Sequence, residues 1–189
     1  MSQEIPRTVI FDFDQDKSVD IETHSLFRWW SEKTFTEKHM LPLSMDEMKE
    51  TLLMAIFAFS DNGSQIAAAG IFLPRTGDKS EPRLKGRRVV ELGTNFVDPE
   101  HRGHHIGSLL INERLRHSHE KNWLPVSISS NPVVQKAFRS VQGVLMEEND
   151  EYGELRELLC LRCEEKDDCK LCPRFSGCAW IFPEYVHAM

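Results

Sequence analysis

The chain has 189 residues, which fits one compact domain or one domain with a short appendage. Its formal net charge of −7 disfavours a large binding surface for the phosphates of DNA or RNA. No apolar run in the sequence reaches the ~20 residues that a membrane helix needs, and the N-terminal segment MSQEIPRTVIFDFD lacks the basic region and apolar core of an export signal. We therefore expect a cytoplasmic protein that binds neither nucleic acid nor a membrane.

The first part of the chain predicts a strand, two helices and a hairpin. Alternating apolar residues predict the strand, and helical spacing of apolar residues predicts the helices. An S-x-x-E capping box begins at Ser44, and the sequence DNGS at 61–64 lies between two apolar runs, as is typical of a hairpin. The predicted ranges are a strand over 8–13, helices over 20–33 and 45–55, and strands over 56–60 and 66–73.

The second part of the chain alternates strands and helices. The stretch between the hairpin and the next strand is rich in Pro, Gly and charge, which predicts a mobile loop. The dipeptide Asn131-Pro132 predicts a helix start, because Asn caps helices and Pro favours the first helical position. The alternation predicts an α/β fold, a mixed sheet flanked by helices, in 1–161. The predicted ranges are a loop over 74–88, a strand over 89–97, a helix over 106–119, a strand over 125–129, a helix over 131–143, a hairpin with strands over 144–147 and 155–161, and a Cys-rich appendage over 162–189.

The stretch ELGTNFVDPEHRGHHIGSLL at 91–110 predicts a binding site for phosphate. A strand ends near Val97, a tight turn carries Arg102 and Gly103, and a helix begins close to Gly107. The N–H groups at a helix N-terminus lack partners within the helix and lie at the positive end of its dipole. Glycine lets the backbone approach a phosphate closely, and the Arg102 side chain adds positive charge.

The same stretch resembles the acetyl-CoA-binding motif of the GNAT superfamily of N-acetyltransferases, in which a strand runs into Arg/Gln-x-x-Gly-x-Gly/Ala. Arg102, Ile106 and Gly107 match this motif, whereas His105 stands where the family usually has Gly; the neighbouring Gly103 also fits the family. The resemblance covers about 20–161 and is strongest over 89–145. It implies a mixed, mainly antiparallel central sheet with helices on both faces.

The resemblance implies acetyl-CoA as co-substrate and transfer of its acetyl group to a primary amine of a small molecule or protein. A backbone N–H near Phe96 or Val97 would polarise the thioester carbonyl. A non-catalytic acyl-CoA-binding sensor or interaction module stays open as the alternative, and so does a homodimer. The residues expected to bind the cofactor are Phe96, Val97, Arg102, Gly103, His104, His105, Ile106, Gly107, Ser108, Asn131 and Phe138.

A second segment, SISSNPVVQKAF, resembles the strand and Asn-started helix of the same family. Asn131 matches the Asn that contacts the pantetheine arm in the family. Phe138 stands seven residues later, where the family has the Tyr that protonates the departing thiolate. The resemblance therefore leaves the acid role to another group, such as water. Many family members place the base for the amine proton where Glu91 stands; an ordinary strand glutamate is the alternative.

The N-terminal sequence TVIFDFDQD resembles the first motif of haloacid-dehalogenase-like phosphatases, whose two aspartates act as nucleophile and acid. Asp12 and Asp14 would fill those roles, but Asp16 stands where that family has Thr or Val. No matching Lys or acidic pair follows in a suitable context. We therefore interpret Asp12 as a structural residue at the end of the first strand.

All five cysteines lie between Cys160 and Cys178, as two C-x2-C pairs and a further Cys. Paired cysteines are typical zinc ligands, although the loop between these pairs is short. A zinc or iron–sulfur site and a set of free thiols both stay open, with Cys160, Cys163, Cys169 and Cys172 as the candidate ligands. His101, His104 and His105 form a second cluster, which we interpret as turn residues rather than as a metal site.

Overall fold

The computed structural model of the protein describes the greater part of the chain. The described residues are 6–16, 18–37, 40, 42–74, 81–129, 131–146, 152, 155 and 179–183. The helices and strands in chain order are β1 (Arg7–Asp12), α1 (Ser25–Thr36), α2 (Met45–Thr51), β2 (Leu52–Phe59), β3 (Gln65–Phe72), β4 (Arg83–Leu84), β5 (Arg87–Val97), α3 (Ile106–Glu120), β6 (Trp123–Ile128), α4 (Pro132–Ser140), β7 (Val144–Leu145) and β8 (Ala179–Ile181). Within these ranges, no helix has the length and apolar character that crossing a lipid bilayer requires.

The chain divides into two compact units, and strand β5 begins in one and ends in the other. The first unit consists of 1–72 and 92–114, and the second consists of 73–91 and 115–189. Both units combine strands with helical residues, and the strand pairs are mostly antiparallel. The predicted fold class, a mixed and mainly antiparallel α/β fold, is confirmed.

The first unit is built on β1, β2, β3 and the end of β5. β1 pairs antiparallel with β2, β2 pairs antiparallel with β3, and β3 lies next to β5. The β2 sequence LLMAIFAF is buried along nearly its whole length. A continuous apolar run fits a buried strand and a buried helix equally well. For this reason the predicted helix over 45–55 is too long: it ends at Thr51, and β2 begins at Leu52.

Both helices of the first unit begin at a side-chain cap. Ser44 accepts a hydrogen bond from the Glu47 N–H at 3.1 Å, which confirms the predicted cap of α2. Helix α1 begins later than the predicted residue 20, because Asp20 closes a turn instead, accepting from the Glu22 N–H at 3.0 Å. His24 caps α1 in its place.

Aromatic side chains of α1 fill the core of the first unit. Phe27 and Trp30 are fully buried, and each meets Phe57 of β2 edge-on, with ring centroids 5.2 and 5.8 Å apart respectively. Phe11 of β1 meets Phe27 at 5.3 Å. Aromatic pairs of this kind contribute ~0.5–1.5 kcal/mol each beyond their burial, so they fix α1 on β1 and β2.

The second unit contains the start of β5 and the strands that follow α3. β4 forms a hairpin with the start of β5, and β5 then runs parallel to β6, with Val89 opposite Leu124. The predicted loop over 74–88 is therefore too long, since it includes β4 and the start of β5. β4 has only two residues, Arg83 and Leu84, and is too short for an apolar alternation that would have indicated it. Residues 75–80 of that loop lie outside the described residues.

The last described strand lies within the sheet of the second unit. β8 pairs antiparallel with β6 on one side and with β7 on the other. The sequence predicted a hairpin between 144–147 and 155–161, with 162–189 as an appendage. That prediction missed the pairing of β7 with β8, and β8 brings part of the expected appendage into the sheet. Residues 156–178 lie outside the described residues.

The core of the second unit is mostly aliphatic where β5, β6 and β8 meet. These strands pack with side chains from the region that follows α4. The buried members are Val89, Leu124, Val126, Met146, Tyr152, Leu155, Ala179 and Ile181.

Candidate functional site

The chain between β5 and α3 forms a turn with hydrogen bonds of its own. The Asp98 side chain accepts a hydrogen bond from the Glu100 N–H at 3.2 Å, and Pro99–His101 form a single 3₁₀ turn. The Arg102 N–H then donates to the Pro99 carbonyl at 3.3 Å. Asp as a cap and Pro at the first helical position favour this geometry. Residues of the turn itself thus favour its shape.

Two residues of the turn adopt a left-handed backbone conformation. The φ angle is 86° at Gly103 and 61° at His105. Glycine is favoured at such angles because a Cβ atom crowds the following carbonyl oxygen, at a cost of ~1–2 kcal/mol. His105 nevertheless adopts the left-handed backbone conformation that glycine favours.

Helix α3 begins directly after His105. The His105 carbonyl accepts from the Leu109 N–H at 3.0 Å, which is the first bond of the helical ladder. The N–H groups of Ile106, Gly107 and Ser108 precede this bond, so helix geometry gives them no acceptor within the helix. They also lie at the positive end of a 15-residue helix dipole. These N–H groups can therefore donate to an anion.

The first turn of α3 lies next to β5 at Gly107. The Asn95 side-chain nitrogen donates to the Gly107 carbonyl at 3.4 Å. A Cβ atom at Gly107 would lie 3.9 Å from Asn95 Nδ2 and 3.9 Å from Val97 Cγ2, which is ordinary van der Waals contact. Alanine therefore fits this position in the fold, in agreement with the Gly/Ala of the motif.

Arg102 fastens the turn to β5 and to the residue that follows α1. Its Nε donates to the Val97 carbonyl at 3.0 Å, and its Nη2 donates to Glu37 Oε2 at 2.8 Å. The sequence indicated Arg102 only as a charge for phosphate, and gave no signal for Glu37. The Arg102 side chain is 48% exposed. The structure thus shows that Arg102 holds the turn in place, and its contact with phosphate stays a prediction.

Phe96 contributes its ring to the core of the first unit. The ring is 2% exposed and meets Trp29 edge-on at 5.6 Å. Lys33 Nζ lies 6.0 Å from the ring centroid. This packing leaves the backbone of Phe96 as its candidate contact with a ligand.

The sequence model described as the Acetyltransferase (GNAT) family matches residues 19–143. The chain belongs to the GNAT acetyltransferase family. The match includes the β5–α3 turn and the whole of α4. No curated protein sequence is detectably similar to the chain.

Solved structures share the fold of this GNAT protein. A Mycobacterium tuberculosis protein in complex with CoA aligns with a TM-score of 0.54 at 14% identity, over 82% of this chain and 90% of that one. An Escherichia coli GNAT family N-acetyltransferase in complex with CoA aligns with a TM-score of 0.52 at 14% identity, over 78% of this chain and 74% of that one. At this level of identity, the similarity establishes the fold alone.

In the second unit of the GNAT protein, Asn131 caps helix α4. Its side chain accepts a hydrogen bond from the Val133 N–H at 2.9 Å, and Pro132 takes the first helical position. The predicted helix start is confirmed. The contact of Asn131 with a pantetheine arm stays a prediction.

Phe138, which replaces the Tyr of the GNAT family, lies in an aromatic cluster of the second unit. It is 2% exposed, and its ring centroid lies 5.7 Å from that of Trp180 and 5.2 Å from that of Phe182. Gly143 permits this packing, because a Cβ atom there would lie 2.7 Å from the Phe182 ring. Position 138 is therefore part of an apolar core.

Glu91 lies on β5 at the last residue that pairs with β6, opposite Val126. It is half-buried and interacts with other groups of the protein. Its role as a base stays a prediction. At the end of β1, Asp12 accepts from the Asp14 N–H at 3.2 Å and so closes a turn, in agreement with the structural interpretation of Asp12.

Within the described ranges, no group of three or more His, Cys, Asp or Glu residues could hold a metal ion. His101, His104 and His105 are among these described residues and form no such group. The four candidate cysteine ligands lie in 156–178, outside the described residues. The zinc site therefore stays a prediction from the sequence.

Proposed function

We propose that the protein transfers an acetyl group from acetyl-CoA to a primary amine of a small molecule or peptide. The observation that carries the proposal is the first turn of α3, whose N–H groups at 106–108 have no acceptor within the helix. Family membership supports acyl transfer as the reaction class. In the reaction the amine nitrogen attacks the thioester carbon, the carbon–sulfur bond breaks, and CoA leaves as a thiolate that takes up a proton.

The cradle, defined as residues 102–108, would hold the pyrophosphate of the cofactor. A helix N-terminus favours a phosphate through both its N–H groups and its dipole. Gly103 and Gly107 carry no Cβ atom, so a phosphate can approach the backbone closely there. The exposed side chains of His104 and His105 flank the same turn. Acetyl-CoA carries the anionic group that this arrangement favours.

The acyl end of the cofactor would meet the backbone of β5. The resemblance assigns polarisation of the thioester carbonyl to an N–H near Phe96 or Val97. The burial of the Phe96 ring against Trp29 favours a backbone contact at this position. A preorganised N–H of this kind stabilises the oxyanion that develops when the amine attacks.

Two proton transfers complete the reaction. Glu91 would accept the proton of the amine, directly or through water. No hydroxyl is present at Phe138, so water would protonate the departing thiolate. A CoA thiolate leaves readily, so a missing side-chain acid need not abolish turnover.

Thermal unfolding in the presence of ligand tests the cradle. A ligand that binds only the native state raises its stability by RT ln(1 + [L]/Kd). Millimolar acetyl-CoA should therefore raise the midpoint of unfolding. S-acetylpantetheine is the matched control, because it carries the same thioester without the pyrophosphate, and it should raise the midpoint much less. No shift with acetyl-CoA would count against the cradle.

The replacement of Tyr by Phe138 favours a second candidate function, a sensor that binds acyl-CoA without turnover. Release of free CoA thiol from acetyl-CoA, measured with a panel of primary amines, separates the two functions. An enzyme releases thiol with at least one amine, at a rate proportional to protein concentration. A sensor is stabilised by acetyl-CoA and releases no thiol with any of them.

A further inference from the structure

Arg114 is a buried charged residue in the first unit, with a relative solvent exposure of 1%. Its Nε donates to the carbonyl of Leu110, one helical turn earlier in α3, at 3.1 Å. Its Nη1 donates to the carbonyl of Gly70 in β3 at 3.2 Å and to that of Gly93 in β5 at 3.0 Å. One guanidinium therefore joins the helix to two strands through backbone groups.

The charge of Arg114 is held by carbonyl dipoles. Burial lowers the pKa of Arg114 to about 9, so the side chain is still a cation at neutral pH. No carboxylate among the described residues forms an ion pair with it. A buried cation is costly unless it is paired or hydrogen-bonded. The bonds to β3 and β5 are therefore what makes an arginine tolerable at this position.

The bond to Gly93 acts next to a strained residue of β5. Thr94 has a φ of 41°, which is unfavourable for a β-branched side chain. In a trans peptide the C=O of one residue and the N–H of the next point in opposite directions. By holding the Gly93 carbonyl, Arg114 also fixes the direction of the Thr94 N–H.

A second arginine, Arg102, holds the Val97 end of the segment Gly93–Val97. Arg102 Nε donates to the Val97 carbonyl at 3.0 Å. Between the two ends, the Asn95 side chain is bonded to α3 at 3.4 Å. The segment Gly93–Val97 therefore has each terminal carbonyl on a guanidinium and a further bond between them.

We infer that Arg114 is a positioning residue for acyl transfer, which orients the backbone N–H groups of the segment Gly93–Val97 toward the thioester carbonyl. The inference rests on the proposed function, because that function assigns an N–H near Phe96 or Val97 to this carbonyl. Arg114 touches no reacting atom in this scheme. A displacement of ~1 Å in such a group can cost ~10²-fold in rate.

Three variants separate positioning from simple stability. Arg114→Met keeps an unbranched side chain and removes every donor. Arg114→Lys keeps a positive charge but replaces the planar guanidinium by one compact ammonium. Ile111→Ala is the matched control: Ile111 lies on the same helix and is 3% exposed, and it donates no side-chain hydrogen bond to the strands.

Two measurements are made on each variant: amide hydrogen exchange across 93–97 and steady-state kinetics of acetyl transfer. Exchange over 94–97 should become faster in both Arg114 variants and not in Ile111→Ala. We expect kcat to fall ~10²-fold in Arg114→Met and ~10-fold in Arg114→Lys, with the Kd for acetyl-CoA changed less than ~3-fold. The control should retain the wild-type kcat.

Unchanged exchange in both Arg114 variants would overturn the inference. Faster exchange with a wild-type kcat would do the same, because Arg114 would then act on stability alone. The inference would also be contradicted if the Arg114 variants lost kcat and acetyl-CoA affinity by the same factor. The same holds if Ile111→Ala lost as much kcat as the Arg114 variants. If Arg114→Met does not fold, Arg114→Lys decides by the same criteria.

Failure of the proposed function gives a different result. A wild-type protein that releases no thiol from acetyl-CoA with any amine would contradict acyl transfer, and the positioning role would fall with it. The exchange measurement needs no turnover, so it would still decide whether Arg114 holds the segment Gly93–Val97.

Discussion

The β5–α3 turn of the first unit and the aromatic cluster around α4 of the second unit differ in which groups define them, backbone in the turn and side chains in the cluster. The turn offers backbone N–H groups at 106–108, and side chains such as Arg102 hold that backbone in place. The cluster packs the ring of Phe138 against Trp180 and Phe182 at the position where the family has a hydroxyl. We call the first region the backbone site; the second is a side-chain position in the core.

A backbone site and a side-chain site respond differently to substitution. His105 replaces the usual glycine of the turn, and the backbone still adopts a φ of 61°. Phe138 replaces the usual tyrosine, and the hydroxyl is lost with that one change. The proposed binding of the cofactor and the proposed protonation of the thiolate therefore depend on different parts of the chain. The predictions that follow test this separation.

The largest expected effect is that of Glu91→Gln on turnover. The change keeps size and shape but removes the basic carboxylate, and general-base assistance is typically worth ~10²–10⁴-fold. We expect kcat to fall by that order at neutral pH while acetyl-CoA binding is retained. The loss should shrink at high pH, where the amine deprotonates unaided.

A pH–rate profile of the Glu91→Gln variant provides the check. Asp12→Asn is the control, because Asp12 closes a turn at the end of β1 and should leave turnover at the wild-type level. Full activity of Glu91→Gln at every pH would mean that another group accepts the proton.

The next largest effect is that of Arg102→Glu on cofactor affinity. The new carboxylate would face both Glu37 and the pyrophosphate, and a hydrogen bond to a charged group is worth ~1.5–3 kcal/mol, so we expect acetyl-CoA to bind ~10–100-fold more weakly. Glu37→Gln is the control, since it removes the ion pair with Arg102 and leaves the guanidinium in place. Titration calorimetry measures the acetyl-CoA affinity of both variants. Equal weakening in the two variants would show that Arg102 acts only by holding the turn.

Phe138→Tyr should act on stability rather than on turnover. A hydroxyl placed among Trp180 and Phe182 without a partner costs ~1 kcal/mol or more. We expect lower stability in urea unfolding and no gain in kcat, because this position belongs to the core. Phe138→Leu is the control for loss of aromatic packing without a polar group. A rise in kcat at unchanged stability would show that the position still serves the chemistry.

The smallest expected effect is a pH dependence of stability from His119. Burial, and then the positive charge of Arg87, lower the pKa of His119 below its ordinary value of 6.5. The unfolded chain therefore takes up a proton first, so the stability that the neutral ring contributes is complete above pH 6.5 and is lost as the pH falls through the folded pKa.

The check is unfolding by urea between about pH 7.5 and 5. His119→Gln should flatten this part of the stability profile. An unchanged slope in the variant would assign the pH dependence to other groups.

Local signals in the sequence were sufficient for two helix caps and for the turn before α3. The caps at Ser44 and Asn131 and the turn before α3 each depend on residues a few positions apart, so they could be predicted from the sequence. Glycine and a helix start occur together in this turn, and the phosphate contact that they indicated stays a prediction.

Contacts between distant residues could not be predicted in the same way. Arg114 donates to a carbonyl 44 residues earlier in the chain, and its only signal is a charge on the buried face of α3, one turn after Leu110. β8 is three residues long, too short for a periodicity, and its partners β6 and β7 precede it by a long stretch of chain. Both features depend on tertiary packing, which overrides local preference.

The central claim is that the first turn of α3 binds the pyrophosphate of CoA, and titration of the protein with CoA followed by amide chemical shifts tests it most directly. The N–H signals of Gly103 and of Ile106–Ser108 should shift most, because they would donate to the phosphates. S-acetylpantetheine, which lacks the pyrophosphate, should leave these signals near their starting positions. Saturation with CoA that leaves them unshifted while other residues move would contradict the claim.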